Sequence, residues 1–318
     1  MNGKTPRLVT ELFMGAGLAH RGIQAAWPDA RCVGYDFNED AVASATSNGI
    51  NAGWVDLSHP TTQQVVVDRQ LPDLLWASPP CQGFSTMGSK LGAADPRNGF
   101  SWVLDMLGMY RRTHGRVPAR LIFENVKGMA QHRGGRRAPC RHGKLPDPLN
   151  CSGCYLEEVC TELRSSYAHV EWRVLDAADF GVPQHRRRLF IQCSQRPIVW
   201  PTPSHGPQRS QPWVTMSDVL PHLDADHPGW SLDGGRNFAN HPRQERPVSG
   251  DEPAPAVSTR GNQVIRWEGG KRRLTVEEMA VLQGVDDPTL TSQPKKYRYQ
   301  QIGNGVPPAL VRAIVESE

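Results

Sequence analysis

The sequence lacks the features of a membrane protein and of a disulfide-stabilised secreted protein. No apolar run reaches the roughly 18 residues that a membrane-spanning helix needs, and mean hydropathy is −0.51. No cationic leader with an apolar core opens the chain, so we expect no secretory signal. The seven cysteines are an odd and widely spaced set. That pattern argues against a disulfide scaffold and favours a reducing, cytoplasmic setting.

The net charge is small, but the basic residues are concentrated. The chain has a formal charge of +4, and three segments, 133–144, 184–190 and 295–301, are strongly basic. The first of these reads RGGRRAPCRHGK and contains no acidic residue. Such clusters fit a polyanionic partner such as nucleic acid, although any one of them would also suit a solvated loop.

Alternating strand and helix patterns predict an α/β fold with a doubly wound parallel sheet. Short β-prone runs at 7–12, 31–36, 71–77 and 119–126 are separated by helical patterns. The pattern weakens over 196–262, which is rich in Pro, Gly, His and Asn. We therefore predict a Rossmann-like domain and a small irregular domain. The predicted catalytic domain comprises 1–198 and 299–318, with a Cys-rich insertion at 133–160, and the small domain comprises 199–298.

A candidate cofactor site lies at the predicted carboxyl ends of the first strands, where such sheets bind ligands. Gly15 and Gly17 follow the first strand and allow close approach of the backbone. Asp36 ends the second strand, where it would accept hydrogen bonds from ribose, and Phe37 could pack on a purine. Asp56 is placed to accept from an adenine amino group. NAD would need a third glycine in register, so S-adenosylmethionine fits this shorter turn better.

A second group of residues suggests covalent catalysis. Cys81 follows two prolines at a strand end, where a fixed thiolate makes a good nucleophile. Glu124 ends another strand and could protonate a ring nitrogen if burial raised its pKa, with Asn125 fixing the local geometry. Arg186 and Arg188 are two residues apart, so a strand would place both on one face, where they could hold a carbonyl oxygen or a phosphate.

These segments together resemble the DNA cytosine-C5 methyltransferase family. The matching blocks are ELFMGAG, GYDFN, SPPCQGFS, ENVKGM, DFGVPQHRRRLF, RRLTVEEMAVLQG and QIGNGVPPALVRAI, and they span 11–314 in the order found in the family. The combination of PPCQGFS, ENV and QxRxR is highly specific. One departure is Leu18 after Gly17, where the family usually has paired glycines. We expect cofactor binding to survive this change with different local packing.

The resemblance implies a mechanism and a set of site residues. Cys81 attacks C6 of cytosine, Glu124 contacts N3, and C5 then takes the methyl group of S-adenosylmethionine before a base removes the C5 proton. Arg188 contacts the base and Arg186 supports the loop. Because the target base lies inside a duplex, it is flipped out. The implied cofactor residues are Phe13, Gly15, Gly17, Asp36, Phe37, Asp56, Leu57, Pro80, Asn304 and Val306.

Double-stranded DNA is the expected partner, and we expect a monomer with no membrane association, in a bacterial or phage-derived, nucleoid-associated setting. The segment 85–99 has the glycines and length of a loop that could close over DNA. The small recognition domain predicts a short or relaxed target site. The candidate DNA-binding residues are Gln82, Ser85, Arg97, Arg136, Arg137 and Arg260.

The insertion carries a possible metal site. Cys140, Cys151, Cys154 and Cys160 include one CxxC pair, and four such thiols can bind structural zinc in a tetrahedron. His142 could replace Cys160 if that cysteine packs on the inner face of its helix. An iron–sulfur cluster and plain cysteines are the alternatives.

Three other functions compete with DNA methylation. An RNA cytosine methyltransferase could use the same scaffold, and duplex DNA and tRNA as methyl acceptors would separate the two. A non-catalytic zinc-containing DNA-binding protein would be expected to lack the nucleophile, carboxylate or arginines, all of which are present. A cysteine hydrolase would need a histidine poised on Cys81, and the sequence suggests none.

Overall fold

A large mixed sheet forms the centre of the protein. The computed structural model describes residues 6–80, 99–130, 152–234, 247–286, 288–291 and 295–317. The first eight strands in these ranges are β1 Leu8–Leu12, β2 Arg31–Asp36, β3 Ala52–Trp54, β4 Leu74–Ala77, β5 Arg120–Val126, β6 His169–Asp176, β7 Gln184–His185 and β8 Arg187–Ser194.

The predicted α/β architecture is confirmed, with an antiparallel addition. Within the described ranges the sheet has seven strands in the order β3-β2-β1-β4-β5-β8-β6. The strands β1 to β5 pair in parallel, whereas β8 is antiparallel to both β5 and β6. Only a short segment connects β6 to β8, and a short connection permits antiparallel pairing but no parallel crossover. The carboxyl ends of β1, β2, β4 and β5 therefore meet at one edge.

Helices cover both faces of this sheet, as the burial of alternate strand residues requires. The helices in this part of the chain are α1 Leu18–Ala26, α2 Glu39–Ser47, α3 Pro60–Arg69, α4 Gly99–His114 and α5 Ser152–Leu163, and a later helix, α10 Pro308–Glu316, closes the fold. On β5, Leu121 and Phe123 face the core beneath α3, α4 and α5, while Ile122 faces the core beneath α1 and α10. No helix among the described residues is long and apolar enough to cross a membrane.

A second module contains more regular structure than the sequence predicts. Its elements are α6 Met216–Val219, α7 Pro221–Asp226, β9 Ser231–Asp233, β10 Val248–Ser249, β11 Ala254–Pro255, β12 Val264–Trp267, β13 Gly270–Arg273, α8 Val276–Leu282 and α9 Lys295–Asn304. In the described residues, β10, β9, β12 and β13 form an antiparallel sheet. Its strands have two to four residues, too short for a clear alternation to show in the sequence.

The module shares its core with the large sheet. Leu232 of β9, Ile265 of β12 and Met279 of α8 are fully buried together, and Leu18 of α1 belongs to the same cluster. The strand β11 also pairs in parallel with β7, next to the start of β8. The module is therefore held directly against the edge where the predicted functional residues lie.

The helix α8 begins with a capping box that forms part of a charged cluster. The Thr275 hydroxyl accepts from the Glu278 amide at 3.1 Å, and Glu278 accepts in return from the Thr275 amide at 2.8 Å. Arg272 of β13 donates to both Glu278 oxygens at 2.8 and 2.6 Å, and His222 lies 3.0 Å away. Although burial opposes ionisation, these partners lower the pKa of Glu278 from 4.5 to about 2.

We expect this cluster to make stability depend on acid pH. Because the folded-state pKa of Glu278 lies below the unfolded value, the stabilisation is present above about pH 4.5 and is lost as pH falls towards 2. At about 1.4 kcal/mol per pKa unit, the loss is about 3 kcal/mol. Urea unfolding between pH 6 and 2.5 measures it. Glu278→Gln, which can retain the capping box, should flatten this part of the profile, and an unchanged slope would contradict the assignment.

Candidate active site

The first strand ends in a turn that only glycine-rich sequence adopts easily. Gly15 and Gly17 have φ of 57° and 80°, and Phe13 is one of the non-glycine residues at positive φ, at 59°. The Met14 amide donates to the Tyr35 carbonyl at 3.1 Å, which ties the turn to the end of β2. The turn therefore stands at the carboxyl end of the sheet, where sheets of this kind bind ligands.

Asp36 holds this turn in place. Its carboxylate accepts from the Gly15 amide at 2.8 Å and from the Asn38 amide at 2.9 Å, and the residue is only 9% exposed. Burial raises the pKa of Asp36, and the backbone donors act in the opposite direction. The predicted cofactor residue thus also builds the turn, a role that the sequence alone did not indicate.

The turn is open on one side and has aromatic and acidic residues near it. A Cβ on Gly15 would meet no atom within 4 Å, so this side of the turn is open. Phe37 is 61% exposed and offers an uncovered ring, while the Trp54 indole holds the Phe37 carbonyl at 2.7 Å. Asp56 accepts from the Ser58 amide at 2.9 Å, and this bond lowers its pKa. An ionised acceptor, an exposed ring and an open turn therefore lie at the strand ends where the sequence predicts the cofactor site.

The other predicted cofactor residues divide into site walls and core. A Cβ on Gly99 would lie 3.0 Å from the Phe13 ring and 3.1 Å from Pro80, so Phe13 and Pro80 meet at the start of α4. Asn304 is exposed at the end of α9. Leu57 and Val306 are 3% exposed in the two cores, so they support the site from behind.

The departure at Leu18 has a structural explanation. Its side chain packs against Gly305, where a Cβ would lie 2.3 Å from Leu18 Cδ2. Gly305 is the last residue of the GNG segment and directly follows the end of α9. The larger residue in the first block is therefore accommodated by a glycine in the last block.

Glu124 has the environment of a general acid. It is 7% exposed at the end of β5, and Arg188 Nε lies 3.1 Å from its Oε1. The Ser78 hydroxyl also hydrogen-bonds the carboxyl, while Ser78 Oγ accepts from Trp76 Nε1 at 2.9 Å. Burial raises the pKa of Glu124, and Arg188, Arg186 and Ser78 oppose that rise. The carboxyl group can therefore hold a proton above the usual pH range of a glutamic acid.

Asn125 connects β5, the strand that carries Glu124, to the corner formed by Pro79 and Pro80. Its Nδ2 donates to the Pro79 carbonyl at 3.1 Å, and its Oδ1 accepts from the Val126 amide at 2.9 Å. The Ser78 amide in turn donates to the Leu12 carbonyl at 3.2 Å. Cys81 lies outside the described residues, but the corner immediately before it is fixed to both β5 and β1.

The two arginines have different surroundings. Arg188 lies in β8 beside Glu124, whereas Arg186 lies between β7 and β8 and is 1% exposed. The Arg186 guanidinium donates to the Gly303 carbonyl at 2.6 Å and to the Val257 carbonyl at 3.4 Å. Its amide donates to Asp176 at 2.8 Å. Arg186 therefore joins the large sheet to the second module while adding positive charge near Glu124.

Sequence reasoning missed a buried amide network at the same junction. Gln184 Nε2 donates to the Leu282 carbonyl and to Gln283 Oε1, both at 2.9 Å. Gln283 Nε2 donates to the Ile302 carbonyl at 2.7 Å and to the Gly305 carbonyl at 3.1 Å. Ser78 and Asp176 were missed as well. Ser78, Gln184 and Gln283 lie inside the matching blocks and Asp176 lies close to one of them, but the blocks alone do not show which distant residues these side chains contact.

The structure does not support Cys160 as a zinc ligand. Cys160 is 2% exposed inside the core beneath α5, and burial raises the pKa of its thiol to about 11, which opposes the thiolate that zinc needs. Cys154 is also fully buried. In the part of the chain that the structure describes, no three His, Cys, Asp or Glu side chains group to hold a metal. Cys140, His142 and Cys151 lie outside that part.

Most of the predicted DNA-binding residues are also outside the described ranges. This applies to the predicted loop through residue 98 and to Gln82, Ser85, Arg97, Arg136 and Arg137. Arg260 is described and is exposed on the loop after β11.

Comparisons with known proteins agree with the motifs. A family model described as C-5 cytosine-specific DNA methylase matches residues 9–247 and 233–317. The Type II methyltransferase M.AplI of Arthrospira platensis is 29% identical, over 98% of this chain and 85% of its own. M.NlaX of Neisseria lactamica is 26% identical, over 97% and 95% respectively. The crystal structure of the S. pombe Dnmt2 methyltransferase has a TM-score of 0.66 at 18% identity, covers 97% of both chains and shows a shared fold.

Proposed function

This chain belongs to the C-5 cytosine-specific DNA methylase family, and from that premise we propose that it methylates C5 of cytosine in duplex DNA, at a short sequence, by covalent catalysis from Cys81. One observation carries the proposal most directly. A buried carboxyl group, Glu124, is paired with Arg188 at 3.1 Å, and Asn125 ties its strand to the corner that precedes Cys81.

The proposed chemistry assigns one task to each residue. The Cys81 thiolate adds to C6 of a flipped cytosine, while the Glu124 carboxyl group provides its proton to N3 and Arg188 holds Glu124 in place. Electron density then moves to C5, which would take the methyl group as the methyl–sulfur electron pair leaves on S-adenosylhomocysteine. A base takes the C5 proton, the C6–sulfur bond breaks to restore the thiolate, and the N3 proton returns to Glu124. When bound, S-adenosylmethionine supplies an electrophilic methyl group.

The proposed cofactor site lies beside the glycine turn that follows β1. Phe13 and Phe37 would contact the adenine, Asp36 the ribose and Asp56 the adenine amino group. Gly15 and Gly17 would give the close approach of the backbone, and Pro80 and Asn304 would border the methionine part. Leu57 and Val306 keep these walls in place from the cores.

The curated relatives suggest a setting. Because M.AplI and M.NlaX are Type II methyltransferases, we propose that this enzyme protects DNA in a bacterial restriction-modification system. The target-recognition part would be the small module at 199–298, with the remainder as the catalytic domain. The four short strands of its described sheet are consistent with reading only a few base pairs.

Bisulfite sequencing tests the proposal. The full chain is incubated with S-adenosylmethionine and mixed-sequence duplex DNA, with Cys81→Ser as the control and tRNA as a parallel substrate. We expect cytosines within one short motif to become protected in the DNA and to stay unprotected in the control. Protection in tRNA alone would favour the RNA reading, and protection that persists with Cys81→Ser would reject the covalent mechanism.

A further inference from the structure

A basic cavity lies within the second module, beside α9, and its lining contains none of the predicted catalytic residues. Its volume is about 350 Å³, and its lining includes Arg260, Arg273, Lys295 and Lys296 with the ring of Tyr299. The four cations come from three separate parts of the chain: the loop after β11, the end of β13 and the start of α9. The fold therefore brings together basic residues that the sequence shows as unrelated clusters.

The cations in this cavity have aromatic but no acidic partners among the described residues, since Lys295 and Lys296 lie over the rings of Tyr299 and Tyr297 at 5.8 and 4.8 Å. All four are exposed, and among the described residues none of them forms a salt bridge. The neighbouring Arg272 differs from these four, because its guanidinium forms a salt bridge with Glu278. Glu277 on α8 is an exposed acid near the cavity. The Tyr299 hydroxyl already donates to the Leu274 carbonyl at 2.8 Å, so the cavity is left with the ring of Tyr299. Four positive charges around one small cavity match the oxygens of a phosphate group.

The walls of the cavity are fixed rather than loosely placed. Gly261, at φ 56°, lies so close to Tyr299 that a Cβ there would be 2.4 Å from its ring. Ser258 anchors the same loop, since its amide donates to Gln263 at 2.9 Å and its hydroxyl to Asn262 at 2.7 Å. The Arg260 backbone is therefore held against α9.

The cavity is also connected to the active site. The loop that carries Arg260 begins after Val257, and α9, which carries both lysines, includes Gly303. The carbonyls of Val257 and Gly303 are the acceptors of the Arg186 guanidinium. A group bound in the cavity is thus held at a set position relative to β8 and Glu124.

We infer that this cavity binds a backbone phosphate of the DNA substrate and so sets the register of the duplex on the enzyme. The inference rests on the proposed function and specifies one contact of it. Phosphate contacts of this kind position a duplex without reading its sequence. The loss of the contact therefore weakens all duplexes equally and leaves the target motif unchanged.

The test compares two double variants with equal charge loss. Arg273→Ala/Lys296→Ala removes two cavity cations, while Arg7→Ala/Arg31→Ala removes two exposed arginines at the amino ends of β1 and β2. Affinity for a duplex is measured by fluorescence anisotropy from about 50 to 200 mM salt, the range over which phosphate contacts dominate affinity. Each lost phosphate contact makes the slope of log K against log salt less negative by about 0.9.

We expect the salt dependence of the cavity variant to weaken, with a slope less negative by about 1, and its affinity for the duplex to fall roughly 10-fold. Its kcat at saturating DNA should stay at the wild-type value. The control should keep the wild-type slope. An unchanged slope in the cavity variant would overturn the inference. Two other results would also overturn the inference. One is unchanged DNA affinity together with lost binding of inorganic phosphate, which would indicate a site for a free anion. The other is weaker binding of a tRNA hairpin with no change for the duplex. A wild type that never methylates DNA would instead reject the proposed function.

Discussion

Glu124→Gln should lower kcat for methyl transfer by about 10² to 10⁴-fold, the usual contribution of a positioned general acid. Glutamine keeps the shape of the side chain and can donate a hydrogen bond, but it cannot deliver a proton to the ring nitrogen. Because burial raises the pKa of Glu124 above 4.5, the wild type should lose activity on the alkaline side as this group deprotonates. The variant should lack that limb of the pH profile.

A matched control separates this effect from a general disturbance of the sheet. Glu171 on β6 accepts from the Trp200 indole at 2.9 Å, and glutamine can keep that bond. Glu171→Gln should therefore retain kcat within about twofold, as expected for a surface substitution. If Glu124→Gln kept wild-type kcat while binding DNA normally, Glu124 would have no role as an acid.

Asp36→Asn should weaken S-adenosylmethionine binding by about 10 to 100-fold. The carboxylate accepts from two backbone amides, at 2.8 and 2.9 Å, and asparagine replaces one oxygen with a donor that faces a donor. Hydrogen bonds to charged groups contribute about 1.5 to 3 kcal/mol each, which corresponds to this change in Kd. Isothermal titration calorimetry with the cofactor measures it.

The control for this prediction is the neighbouring acid Glu39, which is exposed in the first turn of α2. Glu39→Gln changes the same charge without touching the glycine turn, so its Kd should stay within about twofold. Equal losses in the two variants would mean that overall charge, rather than the bonds to the turn, governs cofactor binding.

The sequence predicted the parts of the site that lie in continuous motifs. The turn at 13–17 and the strand-end acids Asp36 and Glu124 are each set by neighbouring residues, and the structure places them as expected. The parallel order of the first strands follows from the same local alternation.

The parts that depend on distant packing could not be predicted. The buried network of Gln184 and Gln283 joins residues 99 positions apart. The antiparallel β8, the small sheet of the second module and the burial of Cys160 likewise arise from tertiary contacts. For Cys160 the sequence left two alternatives open, a zinc ligand and a cysteine on the inner face of its helix, and only the packed core decides for the second.

The most direct test of the account is to trap the covalent intermediate. A duplex that carries 5-fluorocytosine at the target position has no C5 proton for a base to remove, so the cysteine adduct cannot resolve. After incubation with S-adenosylmethionine, intact mass spectrometry should show the protein joined to methylated DNA, and peptide mapping should place the bond at Cys81. An unlinked protein that methylates the ordinary duplex, or an adduct on another residue, would contradict the account.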